Sequence, residues 1–523
     1  MENGEESSSK KIARWEPWLL VALAIPLAVL VASCFTWPLH VDEAYGVLLV
    51  RHSVGDILRM LAHDTNQPFY FLILHFWIKW AGDSEAALRF PSVPCFLLAV
   101  WLTSRIARRA SGNGRAALFA TFFYAASSEA VYQSMLARPY ALLGLLAAFS
   151  TLSFLEAFIL PERSKAAEWG YFAANVVGAL THVWFFFLLP AQALACAILL
   201  PHRRWWRVAA NQIASVAVFA ALWGPILLKQ VRTGGTSWMQ HMSFALASSA
   251  LTQFYVGHRV GAAFWAICLL LVVARPAGLR RAIKLFRKPE YATLVITAAV
   301  SIGVPLLVSL IYPIYYPDRY TIIALPAIAA GLGWALSDLA SRRWLAAWCC
   351  LIVAGYGTVA ALQVAGQKPD LTWLGDRLKP IFRAGGERTA AEVVCRTASP
   401  GDWLLLTSLS GTGMQYYLGR LGCLERFHLV TFPASIERHP GWDWAYRNPK
   451  KLDVEAKRLA LRLASATTQE RPKPRIWVFW SDQLQENAAL KNSLTLGFRR
   501  ERILPLEGAM FHSVSVYESR GGP

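Results

Sequence analysis

Apolar residues in this chain run in blocks too long for strands and too continuous for amphipathic helices. A helix needs about 20 mostly apolar residues to cross a bilayer. Eleven stretches approach or reach that length: 17–37, 88–106, 116–131, 140–160, 169–183, 184–200, 208–228, 260–274, 291–312, 320–339 and 344–362. Between the first two lies a more polar segment, 38–87, with an amphipathic piece at 55–62 and an apolar run at 68–80. That run is too short to span and reads as a helix lying on the membrane surface. From about residue 363 the pattern becomes that of a soluble domain. Residues 403–407 and 476–480 read as buried strands, 452–464 as an amphipathic helix and 513–517 as a closing strand. The expected organisation is a cytoplasmic tail at 1–16, a mainly α membrane domain at 17–362 with its first external loop at 38–87, and an extracytoplasmic α/β domain at 363–523.

Composition supports this class. The chain is 55% hydrophobic and 16% charged, whereas a soluble domain carries about 25% charged residues. A formal charge of +19 would suggest a nucleic-acid partner in a soluble protein, but here the basic residues sit in short clusters between apolar runs. Twenty Lys and Arg, among them Lys10, Arg108, Arg163, Arg204, Arg281 and Arg342, fall in alternate connections, against nine in the others with the C-terminal domain left aside. The excess places the N-terminus in the cytoplasm and the C-terminal domain outside. The first apolar run is about span length and reads as an uncleaved anchor, with Val31 to Cys34 a chance likeness to a lipoprotein cleavage site. Two of the eight cysteines, Cys395 and Cys423, lie in the C-terminal domain. Pairing in an oxidising exterior and two buried thiols are both open readings.

No phosphate-binding loop, dinucleotide fingerprint, zinc-protease helix or paired C-x-x-C is present. Gly411, Thr412 and Gly413 read as a turn. The span centres are nearly free of charge, unlike those of an ion-coupled carrier. Polar groups collect instead at the external ends: Asp42 and Glu43, His63, Asp64 and Asn66, Arg138 and Tyr140, His182, Lys229 and Arg232, His258 and Arg259, and 315–320 with Asp318, Arg319 and Tyr320. A carboxylate beside cations suits group transfer from a phosphate-bearing lipid. The carboxylate takes a proton from an acceptor hydroxyl while Arg or Lys stabilises the departing phosphate. Each member also has a plain structural role open to it. Asp42 and Glu43 suit a solvated loop or a helix cap, His182 an interfacial hydrogen bond, and Arg138 or Arg319 a headgroup contact.

Five segments then carry a resemblance: Val41-Asp42-Glu43-Ala44-Tyr45; His63-Asp64-Thr65-Asn66-Gln67-Pro68-Phe69-Tyr70 running on to Gly82-Asp83-Ser84-Glu85 and Leu88-Arg89-Phe90-Pro91-Ser92; Ala137-Arg138-Pro139-Tyr140; Leu180-Thr181-His182; and Asp318-Arg319-Tyr320. Gly234 to Trp238 adds weaker support. Together they resemble the polyprenyl-phosphate-dependent glycosyltransferases of the GT-C superfamily, in the branch of protein O-mannosyltransferases and lipid A aminoarabinose transferases. The resemblance implies a GT-C helical bundle and a polyprenyl-phosphate sugar donor, with inverting transfer to a glycan, lipid or protein acceptor. It implies Asp42 as catalytic base, with Glu43 and the loop from His63 to Pro68 shaping the site. Arg138, Lys229 and Arg319 are candidates to hold the phosphate, and Tyr140, His182 and Tyr320 to line the substrate. Two departures stand out: Leu136 where many relatives carry Glu, and Gln67 where relatives have Pro. Glu129 does not align with the metal-binding Glu of some relatives, so no metal site is assigned and a divalent metal stays open. Two rivals remain, a carrier of lipid-linked sugars and a noncatalytic envelope scaffold.

Overall fold

The computed structural model describes residues 27–28, 30–31, 34–35, 37–162, 164–232, 239, 241–252, 254, 265–266, 280, 283–315, 319–339, 386–407, 410–434, 449–469, 473–480, 484–506, 511 and 513–520. The readings at 1–16, 234–238, 258–259, 318 and 344–362 lie outside them, as do most of 17–37 and nearly all of 260–274. The chain divides into two compact units. One comprises residues 1–36 and 65–382; the other comprises 37–64 and 383–523. The loop read as one piece, 38–87, is thus shared between them at Asp64 and Thr65.

The first unit is helical. Its described helices include four long and apolar enough to cross a membrane: Glu85–Ser111, Tyr140–Ile159, Arg204–Arg232 and Pro289–Ile311. Shorter apolar helices run Val183–Leu199 and Leu325–Ser337. Local chemistry sets their ends. Asn113, Ser127 and Ser164 each accept a first-turn amide, satisfying donors that a helix start leaves unpaired. Gly112 closes the Ser92–Ser111 helix with φ of 68°, a left-handed conformation that glycine adopts without strain. The run at 68–80 forms a helix, Pro68–Ala81, with proline at its first turn. It buries Tyr70, Phe71, Leu74 and His75 and exposes Phe76 and Trp80.

Small residues let these helices approach closely. A Cβ added at Gly333 would lie 2.6 Å from the Ala120 amide nitrogen and 2.7 Å from the Ala116 carbonyl oxygen. Only glycine permits that contact between the Gly114–Ala125 and Leu325–Leu339 helices. The cluster around it is alanine-rich: Ala116, Ala120, Ala148, Ala327 and Ala330, with Phe154, Phe158, Tyr171 and Trp334 filling the remaining space.

The second unit holds a five-stranded sheet, order β2-β1-β3-β5-β4, formed by β1 (Trp403–Thr407), β2 (His428–Phe432), β3 (Ile476–Trp480), β4 (Phe498–Leu504) and β5 (Ser513–Ser519). β1 pairs in parallel with β2 and β3, while β5 runs antiparallel to β3 and β4. The inner parallel strands, WLLLT and IWVFW, are buried along their whole length, as strands covered on both faces must be. Edge strand β4 carries exposed Arg499, Arg500, Glu501 and Arg502, which discourage pairing with another chain. Asp402 ties the strand starts together. Its carboxylate accepts from the Ser399 and Arg475 amides at 3.0 and 2.9 Å and from the Trp477 indole at 3.0 Å. Cys395 and Cys423 form a disulfide, Cα atoms 5.9 Å apart, which decides between the two open readings. Gly411 to Gly413 correct the reading as a turn. They belong to the helix Ser410–Arg420, where a Cβ on Gly413 would meet the Glu387 side chain at 2.7 Å.

Candidate active site

The Asp-Glu pair opens the helix Val41–Val50. His40 caps it, its Nδ1 accepting from the Asp42 amide at 3.2 Å. The Glu43 carboxylate reaches back to accept from the His40 amide at 2.7 Å. This is a capping box built on histidine. While Nδ1 accepts that amide the imidazole is neutral, so the 3.9 Å approach of Nδ1 to Asp42 Oδ2 is not an ion pair in this state. Glu43 is buried with 1% exposure and serves the helix start. The Asp42 side chain keeps 20% exposure in a helix's first turn, where amide dipoles favour an anion. One turn along, the Tyr45 hydroxyl donates to Asp64 at 2.8 Å. The first two sequence motifs therefore meet in this unit. His63 is exposed beside them, its Nδ1 3.0 Å from the Arg59 carbonyl.

Three other motifs meet in the helical unit. The Arg138 guanidinium lies 5.9 Å from the Tyr140 ring centroid. Tyr140 contacts His182 at 5.6 Å and Tyr320 at 6.2 Å, and His182 contacts Tyr320 at 5.1 Å. Trp184 stacks on Tyr320 at 4.7 Å and approaches Tyr315 at 6.0 Å. Arg138 and Arg319 both lie close enough for their charges to act on His182. His182 sits at a break in the chain, its Nδ1 accepting from the Trp184 amide at 3.2 Å as cap of the short helix Val183–Phe187. The capping role is present, and it also fixes the ring among the tyrosines. Two cations and a bed of aromatic faces suit an anionic group attached to a sugar ring.

Further residues shape this unit. Gln230 donates to the Asn66 carbonyl at 3.0 Å and accepts from Gln67 at 3.3 Å. Helix Arg204–Arg232 thereby holds the start of the Asn66-Gln67-Pro68 loop, and Lys229 stands exposed beside Gln230. The Ser92 hydroxyl donates to the Leu136 carbonyl at 2.9 Å, joining the second motif to the third. Glu129, fully buried, accepts from Thr321 at 3.0 Å through both carboxylate oxygens. Sequence reasoning assigned no role to Glu129, Gln230 or Trp184. For Glu129 a signal existed: an acidic residue just inside a Ser127 cap within an apolar block. Among the described residues no group of three or more His, Cys, Asp or Glu side chains is placed to hold a metal ion.

Comparison with known proteins fits this architecture. The family described as dolichyl-phosphate-mannose-protein mannosyltransferase matches residues 65–228. The crystal structure of ArnT from Cupriavidus metallidurans bound to undecaprenyl phosphate is similar, with a TM-score of 0.60 and 14% identity, over 97% of this chain and 99% of that one. ArnT from the same organism in the apo state gives a TM-score of 0.60 and 15% identity, over 96% and 98%. No curated protein matches the sequence. At these identities the likeness to solved structures is one of fold. The chain therefore shares the fold of ArnT, and its residues 65–228 match the dolichyl-phosphate-mannose-protein mannosyltransferase family.

Proposed function

We propose that the protein transfers a sugar from a polyprenyl-phosphate donor to an acceptor hydroxyl at the outer face of a bacterial inner membrane. The observation that carries this reading is the meeting of Arg138, Tyr140, His182, Arg319 and Tyr320 from three separate sequence motifs in one cluster. The names of the matched family and of the similar crystal structure point to the same class of donor: the first refers to dolichyl phosphate and the second to undecaprenyl phosphate. The Cys395–Cys423 disulfide suits an oxidising compartment for the C-terminal domain, in line with the distribution of basic residues.

Asp42 takes the proton of the acceptor hydroxyl. The acceptor oxygen attacks the anomeric carbon from the face opposite the phosphate, and the bond from that carbon to the phosphate oxygen breaks with inversion. Polyprenyl phosphate leaves with the bonding pair, its charge held by Arg138, Arg319 and Lys229. A phosphate is a good leaving group, so no general acid is needed. Glu43, His63, Asp64 and Asn66 shape the acceptor side, while Tyr140, His182 and Tyr320 offer rings and hydrogen-bonding edges to the sugar.

The test uses the full chain in lipid nanodiscs with radiolabelled undecaprenyl-phosphate monosaccharides and an envelope extract as acceptor. Label is expected to leave the donor and appear in acceptor with inverted configuration. Asp42→Asn should lower turnover by about 10²–10⁴-fold, the usual range for a general base. Donor that crosses the bilayer intact would instead identify a carrier. Near-normal turnover of Asp42→Asn would remove the mechanism.

A further inference from the structure

Residues 37–64 belong to the same compact unit as the C-terminal domain, and adjacent tyrosines of that domain reach both ends of the Asp42 helix. Ahead of it, the Leu39 amide donates to the Tyr417 hydroxyl at 2.7 Å in a buried hydrogen bond. Behind it, the guanidinium of Arg51, the residue closing the helix, lies 5.7 Å from the centre of the Tyr416 ring. Both tyrosines sit on the helix Ser410–Arg420 and are buried, with 1% and 4% exposure for Tyr416 and Tyr417. The Arg388 guanidinium lies 5.7 Å from the Tyr417 ring, and the Cys395–Cys423 bridge joins the end of the Gly386–Thr397 helix to the residues just after Arg420. The platform beneath the tyrosines is therefore fastened on two sides.

Hydrogen bonds at the start of the Asp42 helix show why Tyr417 matters. The His40 amide goes to Glu43, the Asp42 amide to His40 Nδ1, and the Glu43 and Ala44 amides to the His40 carbonyl. These four are local and set the shape of the cap. The Leu39 amide is different, because its acceptor comes from 378 residues away.

We infer that Tyr417, seconded by Tyr416, is a positioning residue: the C-terminal domain orients the Asp42 carboxylate by holding the chain on either side of its helix. The inference rests on Asp42 being the base, and it gives the C-terminal domain a part in the chemistry. Tyr417→Phe removes one oxygen and keeps the ring. Misplacing a reacting group by about 1 Å costs up to about a hundredfold in rate, so kcat should fall by about tenfold to a hundredfold. KM for an undecaprenyl-phosphate monosaccharide should stay within about twofold, since the donor-holding cations are unaltered. Hydrogen exchange over 37–51 should rise, with the thermal midpoint near that of the parent chain. Tyr416→Leu, which loses the ring face under Arg51, should raise exchange near residues 49–52 and lower kcat less.

Unchanged kcat in Tyr417→Phe while Asp42→Asn is inactive would overturn the inference and leave the base intact. A loss of rate with unchanged exchange over 37–51 would also overturn it, because the effect would not pass through the helix. Should Asp42→Asn itself turn over normally, the reading of the base fails first.

Discussion

The two polar constellations are built by different physics. Around Asp42 the contacts are directional hydrogen bonds to backbone amides, each within 3.2 Å and each with a defined donor and acceptor. Around His182 they are ring faces and guanidinium groups 4.7 to 6.2 Å apart. The hydrogen-bonded cap fixes the backbone from which the Asp42 carboxylate projects, and a proton acceptor needs a defined position. Rings and delocalised cations tolerate small shifts of what they hold, which suits a phosphate whose sugar changes shape during transfer. On the proposed reading, one region places an atom and the other holds a group.

The largest expected effects test that division by kinetic signature. Asp42→Asn should lower kcat by about 10²–10⁴-fold with little change in donor KM. Arg138→Ala should raise donor KM by about tenfold or more, because a charge-assisted contact is worth roughly 1.5–3 kcal/mol. Arg138→Lys should recover only part of this, since an ammonium lacks the planar fork and stacks poorly on Tyr140. Steady-state kinetics over a range of donor concentrations separates the two. If Arg138→Ala left donor KM unchanged, the cluster would not be holding the bound donor, and the division would collapse.

Much of this arrangement was legible in the sequence, and the missing parts share a cause. Hydropathy identified the blocks that became the Ser92–Ser111, Tyr140–Phe154 and Pro289–Ile311 helices, because burial and lipid exposure both demand apolar side chains. It did not show that block 116–131 breaks at Ala126 and Ser127. There Ser127 caps the next helix and donates to the Phe254 carbonyl at 2.9 Å, a contact 127 residues distant. Strands β1 and β3 were readable as apolar runs and β5 as a closing strand. β2 begins with the exposed His428 and β4 is charged throughout its middle, so neither presents a buried-strand pattern. In the site, order along the chain identified Asp42, Arg138, His182 and Tyr320 as candidates. The roles of Gln230, Trp184 and Tyr417 depend on partners remote in sequence, which a single chain without its coordinates does not reveal. The histidine-based cap was hidden for a simpler reason: Ser, Thr, Asp or Asn is expected at that position.

An intermediate effect concerns the scaffold behind the hydrogen-bonded region. The disulfide spans 28 residues of sequence, and loop closure of that size is worth roughly 3–4 kcal/mol in the chain-entropy account. Replacing Cys395 and Cys423 together by Ala should lower the thermal midpoint of this unit by several degrees. Arg138, on the helical unit, should keep its donor KM. A matching loss of donor affinity would mean that the two regions are not separable in the way their contacts suggest.

The smallest effect lies in the short helix that follows the Asp42 helix. Ser53 caps Val54–Leu61, accepting from the Asp56 amide at 3.2 Å while its hydroxyl donates to the Asp56 carboxylate at 2.6 Å. That hydrogen bond, then the nearby Arg59, holds the Asp56 carboxyl below the ordinary carboxylate range. A carboxyl lowered in the folded state adds stability above its unfolded value and loses it as pH falls through the folded one. Exchange over 54–61 should therefore be constant from pH 8 to about 5 and quicken, once corrected for intrinsic rate, below about pH 4. Asp56→Asn should remove the step. Because the group is exposed, the change should stay local, leaving the Tyr45 to Asp64 hydrogen bond and the protection of 41–50 unaltered. Spread of the acid-induced loosening into 41–50 would show that the Asp42 helix leans on its surface neighbour as well as on Tyr417, making the hydrogen-bonded region softer than the aromatic one.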